Sequence, residues 1–204
     1  MTRPVFPMPV PHLPLITPET ARLRLRQWRA DDLAPFAALN ADAEVMRYFP
    51  APMSRPDSDA MAERMAGLIT LRGWGFWAVE RKDSGAFIGI VGLNVPRPEL
   101  PCYPCVEMGW RLARAHWRQG YALEAAQAAL QVGFATLQLP EIVAFTALPN
   151  LPSQGVMEKL GMQRDAANFE HPAVPEGSPL RTHCLYRITQ AQWLAGQPPA
   201  AIGR

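Results

Sequence analysis

The chain has 204 residues, 49% hydrophobic and 19% charged, which suits one globular domain with a tail at either end and excludes wholesale disorder. Twenty Lys and Arg against 18 Asp and Glu leave a net charge of +2. That gives no support to bulk nucleic-acid binding, while leaving room for a small basic pocket. No apolar run reaches the roughly 18 residues of a membrane span. Three cysteines are too few for a disulfide framework.

The opening stretch, residues 1–19, carries six prolines and lacks the apolar centre and cleavage site of a signal peptide. It reads as a lead-in, and the protein as cytoplasmic. RLRLRQW (22–28) alternates Leu with Arg, the pattern of a half-buried strand. RADDLAPFAALNADAEVMRYF (29–49) has helical spacing and starts at Asp31 and Asp32, and PDSDAMAERMAGLITLR (56–72) is a second helix begun by Pro56. GFWAVERKDSGAFIGIVGLNV (75–95) is a hairpin turning at KDSG. The proline-rich loop that follows ends in Cys102 and Cys105. This C-x-x-C has no second Cys/His pair at ligand spacing, so it reads as a loop with two thiols.

CVEMGWRLA (105–113) is a strand with Val106, Met108, Trp110 and Leu112 on one face and Glu107 and Arg111 on the other. After the loop in HWRQGYALEAA (116–126), Leu123, Ala126, Leu130, Phe134 and Leu137 recur at helical steps. EIVAFTAL (141–148) is a buried strand. PNLPSQGVMEKLGM (149–162) is a helix with Asn150 or Ser153 near its N-cap and Gly161 as its stop. LRTHCLYRIT (180–189) is the last strand. The order is mixed α/β, one layer of sheet with helices packed on it.

A strand, a short loop with one glycine and a helix start suit an anion, because helix N-termini carry unpaired N–H groups and a partial positive charge. The backbone from Trp117 to Ala122 is able to point successive N–H groups at one phosphate. Gly120 allows close approach, and Arg114 and Arg118 add charge. The alternative is a tight connection with a solvated arginine. Neither G-x-x-x-x-G-K-[ST] nor G-x-G-x-x-G is present, so the usual triphosphate and dinucleotide loops are excluded.

HWRQGYALEAA resembles the pyrophosphate loop of GNAT acyltransferases, and NLPSQGVMEKLGM resembles a helix of the same superfamily. ARLRLRQWRADDLAPFAAL resembles the opening of the subgroup related to ribosomal-protein-alanine N-acetyltransferases. The resemblance covers residues 20–190. It implies a single α+β domain there, with 1–19 as lead-in and 191–204 as tail. The implied sheet is central, mixed and mostly antiparallel, splayed between strands 4 and 5 and flanked by about four helices. It also implies acetyl-CoA as co-substrate, with no metal. The pyrophosphate would lie at Trp117, Arg118, Gln119, Gly120, Tyr121 and Ala122, and the pantetheine arm beside Trp110, Arg111 and Leu112. Asn150 and Ser153 would meet the coenzyme from their helix. The chain departs from the pattern at Trp117, where Arg or Gln is usual, at Arg118, where glycine is common, and at Met157, which holds the place of a proton-donating tyrosine.

The implied chemistry is direct acyl transfer from a thioester to a neutral primary amine, on a protein N-terminus or a small molecule. Glu107 is the candidate base, directly or through a water, with an exposed ion pair as its alternative. His183 and His116 stand behind it. Ser153 is the candidate acid, with plain capping or hydrogen bonding as its alternative. Tyr48, Phe49 and Trp77 are candidate acceptor-site residues, as is Met46, though packing explains them equally well. A cationic small acceptor would call for acidic groups, and only Asp57, Asp59 and Glu63 cluster. A module that binds acyl-CoA without turnover is the alternative function. No nucleic-acid or membrane partner is expected, and a homodimer is left open.

Overall fold

The computed structural model describes residues 13–196, so most of the lead-in and the last eight residues of the expected tail lie outside the described residues. In chain order the elements are β1 (Leu23–Arg26), α1 (Leu33–Ala41), α2 (Ala43–Met46), α3 (Arg55–Arg72), β2 (Phe76–Arg81), β3 (Phe87–Asn94) and β4 (Glu107–Leu112). There follow α4 (Tyr121–Gln131), β5 (Glu141–Ala147), α5 (Leu151–Lys159), β6 (Gln163–Arg164), β7 (Phe169–Glu170), β8 (Thr182–Thr189) and α6 (Gln190–Ala195). The sheet runs β1-β2-β3-β4-β5-β8-β6, with β7 also on β8. Every pairing is antiparallel except β4 with β5, which is parallel and consists of one residue pair, Glu107 with Val143. This is the splayed α/β sheet that the sequence implied.

The helix expected over 29–49 is broken. The Asp42 carboxylate accepts from the N–H groups of Glu44 and Val45, which stops α1 and starts α2. Phe36, Leu39 and Val45 then bury against Ile90 of β3. Helix α3 begins where the Ser54 hydroxyl accepts from the Asp57 N–H and ends at Gly73, whose φ of 81° suits a left-handed cap. The loop carrying Cys102 and Cys105 covers Val143 and Leu185, and both thiols are buried.

On the other face, α4 lies on the sheet through Ala125, Ala126 and Ala129, all fully buried. Leu123, expected on that face, is half-buried. Small residues let the helix approach β4 closely, and the helix then widens into a π turn at Val132–Thr136. The ordered fold passes both expected domain edges. At one end, Ile16 donates its N–H to the Gly73 carbonyl (2.8 Å) and its own carbonyl accepts from the Trp77 indole (2.8 Å). At the other, α6 is started by a capping box between Thr189 and Gln192, and Trp193 packs on Phe134 at 5.3 Å.

Arginine at alternate positions of β1 suggests a solvated face, yet Arg26 is buried. Its guanidinium forks onto Asp32 (2.7 and 2.8 Å) and its Nε donates to Glu80 (2.6 Å). All three residues are 5% exposed or less. Burial pushes the Glu80 carboxyl up, and hydrogen bonding and charge from Arg26, with Arg29 and Arg24, more than reverse it. The net value is below the usual carboxylate range. Glu80 therefore contributes stability above the unfolded pKa, and that contribution is lost as pH falls through the folded one. Arg26→Met, which leaves the buried Asp32 without its cation while Glu80 keeps Arg24 and Arg29, is expected to cost about 3–5 kcal/mol, read as a lowered urea midpoint at neutral pH.

Candidate active site

The place where β4 leaves β5 decides which backbone groups are free. The Ala113 N–H donates to the Ile88 carbonyl (2.9 Å), so in the antiparallel register residues 107, 109, 111 and 113 turn their backbone toward β3. Residues 106, 108, 110 and 112 face β5. The Val106 carbonyl accepts from Val143 (3.0 Å), and beyond that pair the strands part. The backbone of Trp110 is thereby presented to an open wedge. The Leu112 carbonyl is already taken by the Trp117 indole at 2.7 Å, a bond that ties the loop to the strand. Of the three strand residues expected beside the pantetheine arm, Trp110 and Leu112 have the right parity. Arg111 does not, since its backbone bonds Ile90.

The loop at the mouth of this wedge has two left-handed residues, Arg118 (φ 58°) and Gly120 (φ 81°), and Arg118, Gln119 and Gly120 are exposed. The Glu124 N–H donates to the Gly120 carbonyl (3.0 Å), the first bond of α4. The N–H groups of Tyr121, Ala122 and Leu123 have no acceptor in the helix, and no side chain caps them. Arg22 pins the loop from β1, with an ion pair to Glu124 (2.6 Å) and a bond to the Gln119 carbonyl (3.0 Å). Tyr121 is buried beneath that guanidinium. An exposed glycine, uncapped N–H groups and nearby arginines are features that suit an anion such as phosphate.

Across the wedge, α5 starts with Asn150 as its N-cap. Its side-chain oxygen accepts from the Ser153 N–H (3.3 Å), and its amide donates to Thr146 (2.8 Å) and to the Ser153 hydroxyl (3.0 Å). Asn150 is thus a capping residue first. Ser153 is half-buried, and its hydroxyl hydrogen is uncommitted among the described residues. Met157 is 2% exposed, packed in the core rather than facing the wedge.

Glu107 lies on the opposite face from the buried Val106, Met108 and Leu112. It makes no ion pair among the described residues, against the exposed-pair alternative. Its single side-chain bond comes from the Asn94 amide at 2.8 Å. Burial raises its pKa, and the Asn94 bond offsets this only in part. Asn94 was not singled out from sequence. It stands opposite Glu107 in the β3–β4 register, a relation that emerges only once the register is known.

The remaining candidates separate. Tyr48 and Phe49 follow α2 on the Glu107 side of the sheet, with Phe49 37% exposed and the Arg111 guanidinium 4.1 Å above its ring. Trp77 is a correction: it is fully buried, and its indole is committed to Ile16, so it cannot meet an acceptor. Met46, 3% exposed, is likewise core. His116 lies beside Tyr121 at the start of α4, with its pKa lowered by burial and by Arg81. His183 is 8% exposed, stacked on His171 at 4.7 Å and bonded through Nδ1 to the Arg181 carbonyl (3.0 Å), and burial lowers its pKa. Neither histidine contacts Glu107.

Residues 22–163 match the model of an acetyltransferase (GNAT) domain. The uncharacterized N-acetyltransferase YnaD of Bacillus subtilis is 29% identical over 175 residues, 85% of this chain and 97% of that protein. The crystal structure of a GNAT-family acetyltransferase from Bacillus anthracis superposes with a TM-score of 0.72 at 25% identity, covering 86% of this chain and 99% of that one. Spermidine N-acetyltransferase from Vibrio cholerae, solved with CoA and spermine, shares the fold at a TM-score of 0.67 and 22% identity, covering 86% and 99%.

A carboxyl whose pKa is raised on folding binds its proton more tightly in the native state, so stability falls as pH climbs from the unfolded value through the folded one. Glu107→Gln keeps the Asn94 partner and removes the charge. It is therefore expected to raise the melting temperature at neutral pH, with little effect near pH 4, measured by calorimetry at both pH values.

Proposed function

Because the chain belongs to the GNAT acetyltransferase family, we propose that it moves an acetyl group from acetyl-CoA directly to a primary amine. The observation that carries this reading is the parting of β4 from β5 directly beside a half-buried carboxylate with no cation of its own among the described residues. The residues fit the coenzyme. Tyr121, Ala122 and Leu123 offer N–H groups to a pyrophosphate over Gly120, with Trp117, Arg118 and Gln119 forming the approach. The Trp110 backbone and the Leu112 N–H offer a strand-like partner to an amide-bearing arm. Asn150 fixes Ser153, its amide donating to that hydroxyl at 3.0 Å, and both would meet the coenzyme from α5.

When bound, acetyl-CoA supplies an acyl thioester whose thiolate leaves with a pKa near that of cysteine, about 8.5. The attacking amine must be neutral. An α-amine, with pKa of about 7.7–8.0, needs less help than a lysine at about 10.4. Glu107 takes the amine proton, directly or through one water, and its raised pKa makes it a stronger base than an ordinary carboxylate. The Ser153 hydroxyl donates to the departing sulfur. The acceptor reading is an α-amine, on a peptide N-terminus or a small molecule, reaching the site between Phe49 and Glu107.

Calorimetry with acetyl-CoA tests the coenzyme half. Gly120→Asp is expected to weaken binding at least about tenfold by like-charge repulsion, while Gly120→Asn, which tolerates left-handed φ, retains most of it. Equal affinity in all three proteins would remove the pyrophosphate from this loop. For the chemical half, Glu107→Gln is expected to lower kcat by about 10²–10⁴, and Ser153→Ala by less because the thiolate is already a fair leaving group.

A further inference from the structure

Three strand arginines of this protein are not treated alike. Arg26 meets Asp32 and Glu80, and Arg187 meets Glu141 (2.7 Å) and Asp165 (2.9 Å). Arg111 makes no ion pair among the described residues. One of its terminal nitrogens donates to the Asn40 side-chain oxygen, its Nε is buried with no partner, and its plane lies 4.1 Å over the Phe49 ring. Asn40 cannot compensate by charge. It is fully buried and spends its amide on the Ser58 hydroxyl (2.9 Å). Desolvation alone brings the Arg111 pKa down to about 10. A largely desolvated cation left without an anion is costly, whereas the strand arginines Arg26 and Arg187 both meet carboxylates.

Position gives the unpaired charge a use. Arg111 shares a strand face with Glu107, four residues and therefore about 13 Å of strand away, with Gly109 between them. A Cβ at Gly109 would come within 3.1 Å of the Phe76 ring, so the strip between base and cation is kept shallow. Phe49, exposed at its edge, forms the wall beside the guanidinium. We infer that Arg111 receives a carboxylate carried by the amine acceptor, so that the preferred acceptors are amino-acid-like or peptide-like molecules bearing both an amine and an anion. The inference rests on the acetyl-transfer reading. The same charge disfavours acceptors that carry only cations.

The test measures CoA release with amino acids and short peptides, each paired with its C-terminal carboxamide, and with spermidine. In the native protein kcat/KM is expected to favour the carboxylate over its amide by about ten- to a hundredfold, the range of a charge-assisted bond. Arg111→Gln retains a donor for Asn40 and is expected to collapse that ratio toward one. Arg111→Lys should retain part of it. Circular dichroism and acetyl-CoA calorimetry on each variant establish that the fold and coenzyme site persist. A native preference for amides or spermidine overturns the inference and leaves acetyl transfer standing. Loss of acetyl-CoA affinity in Arg111→Gln with an unchanged carboxylate ratio overturns it too, by assigning the guanidinium to the coenzyme phosphates. Acetyl-CoA binding without turnover of any acceptor instead defeats the transfer reading beneath it.

Discussion

Strands β4 and β5 hold each other through a single residue pair, and the organisation of the site follows from how little that is. An unpaired backbone group in a dry interior costs about 1–3 kcal/mol, so a sheet that opens in its middle needs strong halves on either side. It has them. The antiparallel ladders β1–β4 and β5–β8 are each long, and α4 covers the first of them through its buried alanines. The gap is therefore a stable feature rather than a frayed edge. Because it begins at Glu107, that carboxylate stands where the free backbone starts.

Charge is managed by the same contrast between closed and open places. Around β1, Arg26 is saturated by two carboxylates and serves the fold. Around β4, Glu107 has no cation and Arg111 has no anion, though both lie on one strand face. Nothing within the described residues neutralises either one. Two opposite charges without ion-pair partners along one strand face suit a molecule that brings the complement to each.

Much of this could be read before any coordinates. HWRQGYALEAA gave the loop and its helix start, and NLPSQGVMEKLGM the cap at Asn150, because caps and tight turns are local and their residues are chosen for backbone reasons. What resisted was whatever depends on a distant partner. Asp42 separates two helices because its side chain accepts from the N–H groups of Glu44 and Val45 rather than pointing outward. Trp77 has the look of a site aromatic, and only the carbonyl of Ile16, 61 residues away, fixes it in the core. Helix α6 is short and polar and depends on Trp193 meeting Phe134. The isolation of Arg111 becomes visible only when Asn40 and Phe49, from separate parts of the chain, are seen around it.

The buried thiols have a practical consequence for the bench. Cys102, Cys105 and Cys184 are the only cysteines, and none is accessible on the folded surface. A chromogenic disulfide reagent mixed with the native enzyme therefore colours with the coenzyme set free by turnover, with little background from the protein. Its slower attack on Cys102 and Cys105 becomes a clock of its own, timing how often the proline-rich loop beside Glu107 lifts from the sheet.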